Sequence, residues 1–297
     1  MNTSIKMDRE LSPKLLQTYA GLTAYFQSEL HRGICIAYSG GVDSTLLLKA
    51  ASDAASSGIA PKPRPVLAVI LETQLHPHSD TQQAVQRARQ LHALPEVIRV
   101  NEFQDPQLLN NPDNRCYLCK HLLFSELKTR ALEHGYCVIC DGSNKDDEGE
   151  YRPGMKVLKE LGIRSPLLEL GITKSEVRAL SGALGLPTAA LPSTPCLATR
   201  LPYGTYLDRE LLLRIHTGEQ WLREQGFYNV RLRFHEPLLR IEIDCSDFSK
   251  LLRMREQVIR QMKSLGFLYV TLDLEGFRSG SMDLQITNTS SAHPAIS

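Results

Sequence analysis

No apolar run in the sequence approaches the ~18 residues that a membrane-spanning helix needs, and its start, Met1-Asn2-Thr3-Ser4-Ile5-Lys6-Met7-Asp8, lacks the apolar stretch of a secretory signal. A cytoplasmic protein is expected. An excess of either charge is also lacking: Lys and Arg total 34 against 33 Asp and Glu, for a net charge of +1. Without a global field to gather a polyanion, bulk nucleic-acid binding is disfavoured and a small anionic ligand fits better. Cysteine is sparse, seven residues in 297, too few and odd in number for a disulfide scaffold, so the cysteines are read as thiols, metal ligands or reactants. There is no internal repeat. Against these absences, 42% hydrophobic and 23% charged residues describe a globular chain, and at about 150 residues per domain the length suggests two domains.

Leu15, Tyr19, Leu22, Phe26 and Leu30 recur at helical spacing, predicting an amphipathic helix over 9–30. Short apolar runs at 34–38, 66–71 and 136–141 then alternate with helical patterns at 43–55, 81–91 and 119–134, the signature of a parallel sheet with helices on both faces. Thr173-Lys174-Ser175-Glu176 is a capping box that opens a further helix closed near Gly185. From 208 onward the pattern becomes helix (208–225), strand (230–234), strand (238–243), helix (247–265) and strand (268–274). Period two groups Arg231, Arg233, Arg240 and Glu242 on one polar sheet face. The fold class is therefore α/β with a small C-terminal α+β domain. Expected boundaries are 9–203 and 204–283, with a fraying tail over 284–297.

The strongest local signal is Ser39-Gly40-Gly41-Val42-Asp43-Ser44, a two-glycine turn between a buried strand and a helix. Converging backbone N–H groups and the helix N-terminus suit it to phosphate. The Gly-Lys-Ser/Thr ending of a Walker loop is absent, so the lysine that usually reaches the phosphates is missing. Cys116 and Cys119 form a Cys-x-x-Cys at a helix start, flanked by Arg115 and Lys120, surroundings that favour thiolates for ligation or attack. Cys137 and Cys140 fall in a strand run and are expected to be packed core thiols. Cys196, in a proline-stiffened loop four residues before Arg200, is placed to face a cleft as nucleophile or ligand. Cys116, Cys119 and Cys196 are too few for a closed zinc site. Three thiolates suit a four-iron cluster whose fourth iron stays open, and a disulfide relay is a further use for the pair.

The Ser39–Ser44 loop resembles the SGGxDS signature of the PP-loop ATP pyrophosphatases, which cleave ATP between its α and β phosphates to adenylate an oxygen. That resemblance implies that Ser39, Gly40, Gly41 and Ser44 contact ATP, that Asp43 places Mg²⁺ and that Thr73 lies near adenine. The later segments Asp141–Asp147, Tyr151-Arg152-Pro153-Gly154, Arg164–Glu169, Pro195–Arg200 and Leu272–Ser281 are similar to the LarE sulfur transferases, from about residue 10 to about 283. The implied activity is conversion of the carboxylates of pyridinium-3,5-biscarboxylic acid mononucleotide to thiocarboxylates for the nickel-pincer nucleotide cofactor of lactate racemase.

In this resemblance Cys196 carries the sulfur. One family branch sacrifices that cysteine; the presence of Cys116 and Cys119 departs from it and matches the branch in which three cysteines hold a [4Fe-4S] cluster. Arg231 and Arg233 would take the substrate's phosphate, since guanidinium forks read phosphate bidentately, and Glu219 and Glu242 match acidic metal-associated positions. Asp146 and Asp147 could face metal or solvent. A small-molecule nucleotide substrate and a homo-oligomer are implied. Rival readings are an amidotransferase, a tRNA thiolase and a non-catalytic nucleotide-binding or iron-sulfur module. The amidotransferase needs a glutaminase domain that is not present, and the tRNA enzyme a basic surface at odds with +1.

Overall fold

The computed structural model describes residues 12–58, 64–76, 79–148, 154–191 and 196–278. Its helices are α1 Pro13–Glu29, α2 Val42–Ser56, α3 Ser79–Gln90, α4 Pro106–Leu109, α5 Arg115–Glu133, α6 Gly154–Leu161, α7 Pro166–Glu169, α8 Lys174–Ala183, α9 Arg209–Glu224, α10 Phe248–Arg253 and α11 Arg255–Ser264. The strands are β1 Ile34–Ala37, β2 Leu67–Thr73, β3 Leu94–Val100, β4 Val138–Cys140, β5 Val230–His235, β6 Leu238–Ile243 and β7 Tyr269–Leu272. They form two compact units. One comprises Met1–Thr73, Pro77–Asn101 and Cys116–Thr194; the other comprises Gln74–His76, Glu102–Arg115 and Pro195–Ser297. The division thus falls at 194/195, where the sequence suggested 203/204, and two short excursions join the second unit.

In the first unit a parallel sheet of order β3-β2-β1-β4 has helices on both faces. Alternation along the strands sorts the side chains. Ile34, Ile36, Ala68, Ile70, Val138 and Cys140 enter a core with α1, α2 and α8, while Cys35, Leu67, Val69 and Ile139 enter another with α5. The edge strand β3 is the strand that the apolar pattern missed, as it missed the helices α4, α6 and α7. Pro95, Glu96 and Arg99 interrupt its periodicity, and an edge position tolerates them. Cys140 is buried as expected, but Cys137 precedes β4 and is exposed, which corrects its reading as a core thiol.

The second unit packs α9 and α11 on a sheet of order β5-β6-β7, antiparallel then parallel. Leu75 joins its core, Leu197 donates its N–H to the Leu75 carbonyl at 2.9 Å, and Leu207 donates to that of Leu109 at 2.8 Å. The helix expected over 247–265 is broken at Met254 into α10 and α11. No described helix is long and apolar enough to cross a membrane.

Candidate active site

The loop after β1 turns on Gly40, whose φ of 75° suits glycine, and Arg87 donates to its carbonyl at 3.3 Å. Gly41 is the N-cap of α2, and no side chain caps that end, an arrangement suited to an anion. Its N–H also donates to Ser39 Oγ at 3.3 Å, and the Ser39 and Ser44 hydroxyls lie 3.1 Å apart. Gly142, just beyond β4, comes so close that a Cβ there would sit 3.1 Å from the Ser44 nitrogen. Together these segments line a cavity of about 530 Å³.

Ser39, Asp43, Ser44, Phe124, Asp141, Gly142, Asn144 and Lys174 are among the lining residues. Asn144 caps a short 3₁₀ turn reciprocally with Asp147, and its Nδ2 donates to Asp43 Oδ1 at 3.2 Å. Lys174 pairs through its ammonium with the other Asp43 oxygen. Its backbone N–H donates to Asp146 Oδ2 at 3.0 Å. Asp146, exposed, and Asp147, half-buried, both line the cavity. Thr73 is buried at the end of β2 and is not among the lining residues. The residue that the sequence reading missed is Lys174. As first residue of α8 behind an N-cap that forms as expected, it carried only a capping signal, while its ammonium lies in the cavity beside Asp43.

Asp43, Asp141, Asp146 and Asp147 face the cavity against Lys174, so a bare polyphosphate would be repelled and one carrying a divalent cation accepted. Mg²⁺ takes one or two carboxylates plus phosphate oxygens and water. Asp43, with Asp146 or Asp147, fits that demand. A four-iron cluster fits less well. The first turn of α5 supplies Cys116, exposed, and Cys119, half-buried, whereas three thiolates are required. No group of three or more His, Cys, Asp or Glu that could hold a metal ion occurs among the described residues. The cluster expectation has no support among the described residues.

In the second unit Cys196 is half-buried against the core and begins a 3₁₀ turn. Its carbonyl accepts from Thr199 Oγ1 at 2.8 Å and from Arg200 Nη1 at 3.4 Å. Arg200, 1% exposed, grips Glu219 bidentately at 2.7 and 2.9 Å. Glu219 also accepts from Arg223 at 2.9 Å and from the Leu232 N–H at 3.0 Å. Burial raises the pKa of the Glu219 carboxyl, but Arg200, Leu232 and Arg223 more than reverse this and hold it below the usual carboxylate value. Arg233 donates to Glu242 at 3.1 Å and to the Thr199 carbonyl at 2.5 Å, and Arg240 donates to Glu242 at 2.9 Å.

Arg231 lies 5.2 Å from the Phe277 ring centroid. Burial, then the neighbouring Arg200, lowers its pKa to about 10. The polar face of β5 and β6 is therefore not a solvated surface: Arg231, Arg233 and Glu242 are each less than a tenth exposed. Glu219 and Glu242 are saturated by guanidinium groups, a donor set that satisfies the carboxylates without metal. Arginines outnumber their acidic partners around the Cys196 turn, which suits the bed to an anion.

A parallel sheet whose first strand delivers Ser-Gly-Gly-Val-Asp-Ser to a helix N-terminus defines an ATP-utilising protein of the PP-loop class. No family model matches the chain. It is 37% identical to the pyridinium-3,5-bisthiocarboxylic acid mononucleotide synthase of Lactiplantibacillus plantarum over 86% of this chain and 90% of that protein. It is 40% identical to an uncharacterized protein of Synechocystis over 88% of this chain and 96% of the relative. A solved NMN synthetase from Francisella tularensis is similar with a TM-score of 0.42 and 21% identity, over 63% of this chain and 76% of that one. The chain belongs to the LarE family of the Lactiplantibacillus synthase.

Proposed function

We propose that the protein is an ATP-dependent sulfur transferase that adenylates the carboxylates of pyridinium-3,5-biscarboxylic acid mononucleotide and replaces oxygen by sulfur. The observation that carries this reading is the near full-length similarity to the Lactiplantibacillus synthase, joined to a PP-loop cavity whose lining suits a metal-bound polyphosphate. The α2 N-terminus with the Ser39 and Ser44 hydroxyls would bind the leaving pyrophosphate, and Lys174, released from Asp43, would neutralise the charge that develops on it. Mg²⁺, held by Asp43 with Asp146 or Asp147, would supply charge neutralisation of the phosphates. The Arg231/Arg233 bed would take the substrate's phosphate, and Cys196 would present the sulfur nucleophile that displaces AMP.

Its test is incubation with MgATP and the biscarboxylate nucleotide. AMP, pyrophosphate and a thiocarboxylate detected by mass spectrometry are expected. Cys196→Ala should keep AMP formation and lose sulfur incorporation. Thiocarboxylate formation at the normal rate by that variant would remove Cys196 from the mechanism.

A further inference from the structure

Gly40 and Gly41 stand side by side in the turn after β1, and neither carries a Cβ, so the peptide that joins them rotates easily unless something outside the turn holds it. The holder comes from α3, which belongs to the same compact unit as the loop. Ala84, Arg87 and Ala88 share one face of that helix at spacings of three and four. Ala84 and Ala88 are buried in the core, and Ala84 packs so closely that a Cβ on Gly40 would lie 3.1 Å from its own. This packing brings the half-buried Arg87 to the loop, where Nη1 donates to the Gly40 carbonyl at 3.3 Å. Nη2 donates to Gln83 Oε1 at 2.7 Å, one turn back on α3, so the guanidinium is held on both of its arms. Its charge also reaches the Tyr38 phenol, directly after β1: burial raises the pKa of Tyr38, and the Thr45 hydroxyl and then Arg87 oppose that rise.

We infer that Arg87 is a positioning residue of the phosphate loop: by gripping the Gly40 carbonyl it sets the direction of the Gly41 N–H and, through that group, the Ser39 hydroxyl in the cavity wall. In a planar trans peptide the carbonyl and the following N–H point to opposite sides, so a hold on one fixes the other. The Gly41 N–H donates to Ser39 Oγ at 3.3 Å, Ser39 Oγ lies 3.1 Å from Ser44 Oγ, and Ser44 Oγ donates to the Gly41 carbonyl at 3.3 Å. These three contacts close a ring at the start of α2, and both serines line the cavity. Arg87 is not among the lining residues, so it acts on a bound phosphate through the peptide and not by contact. A guanidinium on a carbonyl is a charge-assisted hydrogen bond, stronger than a neutral one, which suits it to hold a peptide that two glycines leave loose. The inference rests on the adenylation reading and deepens it, naming the group that preorganises the pyrophosphate site.

The test is a double-mutant cycle on the full-length protein, with MgATP and magnesium pyrophosphate as calorimetric probes well below the melting temperature. Arg87→Met keeps an unbranched stem and removes both donors. It should weaken binding of each probe about tenfold, the loss of one charge-assisted hydrogen bond. Arg87→Lys, which keeps one charged donor, should recover part of that loss. Because both groups act through one hydroxyl, Arg87→Met combined with Ser39→Ala should lose less than the product of the two single losses. A role confined to docking α3 would lower the melting temperature of Arg87→Met and leave the affinity of the folded protein unchanged, which overturns the inference. Multiplicative losses in the double variant do the same. If the wild-type protein binds neither probe, the adenylation reading falls and this one with it, whereas wild-type affinity in Arg87→Met, beside a wild type that binds, sinks this one alone.

Discussion

Replacing Lys174 by methionine isolates the cation that the loop does not encode. The substitution spares the local architecture. The α8 cap is made by the Thr173 hydroxyl and the Glu176 carboxylate, and the contact to Asp146 uses the Lys174 backbone N–H. What is lost is the ammonium beside Asp43, with side chains 32% and 20% exposed respectively. At that partial exposure the pair itself contributes about 1 kcal/mol to stability, so the fold should survive. A charge-assisted hydrogen bond to phosphate is worth about 1.5–3 kcal/mol, which becomes a loss of about 10- to 100-fold in kcat/KM for ATP. Pyrophosphate release measured with saturating carboxylate substrate, alongside a thermal melt, separates the two effects. Lys174→Arg should retain part of the rate. A Lys174→Met enzyme with unchanged kcat/KM and an unchanged melt refutes the assignment of this lysine to the phosphates.

Gly142→Ala should cost about 1–3 kcal/mol of stability and depress AMP formation, because the added Cβ meets the Ser44 nitrogen at 3.1 Å and Asp43 Cβ at 3.3 Å; an alanine variant with native melting and turnover contradicts the close approach. Arg200→Met leaves buried Glu219 short of its bidentate partner and should lose about 3 kcal/mol in a urea titration, with Arg223 retaining part of the compensation. Burial and the nearby Arg200 push the His76 imidazole down from 6.5 to about 4. Because the folded-state pKa is depressed, stability is full above about 6.5 and is lost as pH falls toward 4. His76→Gln should flatten the unfolding free energy across that window, and an unaltered pH profile would show that this histidine does not titrate there.

The parts of the site legible in the sequence are those whose chemistry is local. A strand end, two glycines and a helix start lie within six residues, so Ser39 to Ser44 announces a phosphate loop by its order alone. Lys174 is as close to the chemistry but lies 131 residues from Asp43, and its local context speaks only of helix initiation. The same distinction explains the arginine bed. Arg231 and Arg233 alternate with Val230, Leu232 and Phe234, a pattern that describes a half-solvated strand whenever the opposite face is open. Here that face is closed by acceptors drawn from elsewhere: the Glu242 carboxylate from β6 and the Thr199 carbonyl from the Cys196 turn.

Burying guanidinium groups is costly unless carboxylates and carbonyls converge on them, so the alternation could state that the arginines share a face but not that the face is inside. The Glu219 carboxylate extends the point. Read by position it suggests a metal ligand, while its four donors, two from Arg200 and one each from Arg223 and Leu232, make it the element that fixes the Arg200 guanidinium beneath the Cys196 carbonyl. A carboxylate used in this way shapes the setting of the cysteine without touching it. On the proposed reaction, loss of Glu219 should therefore disturb sulfur transfer through the geometry of the 196–200 turn, while the phosphate-loop cavity, built from other elements, keeps its own chemistry.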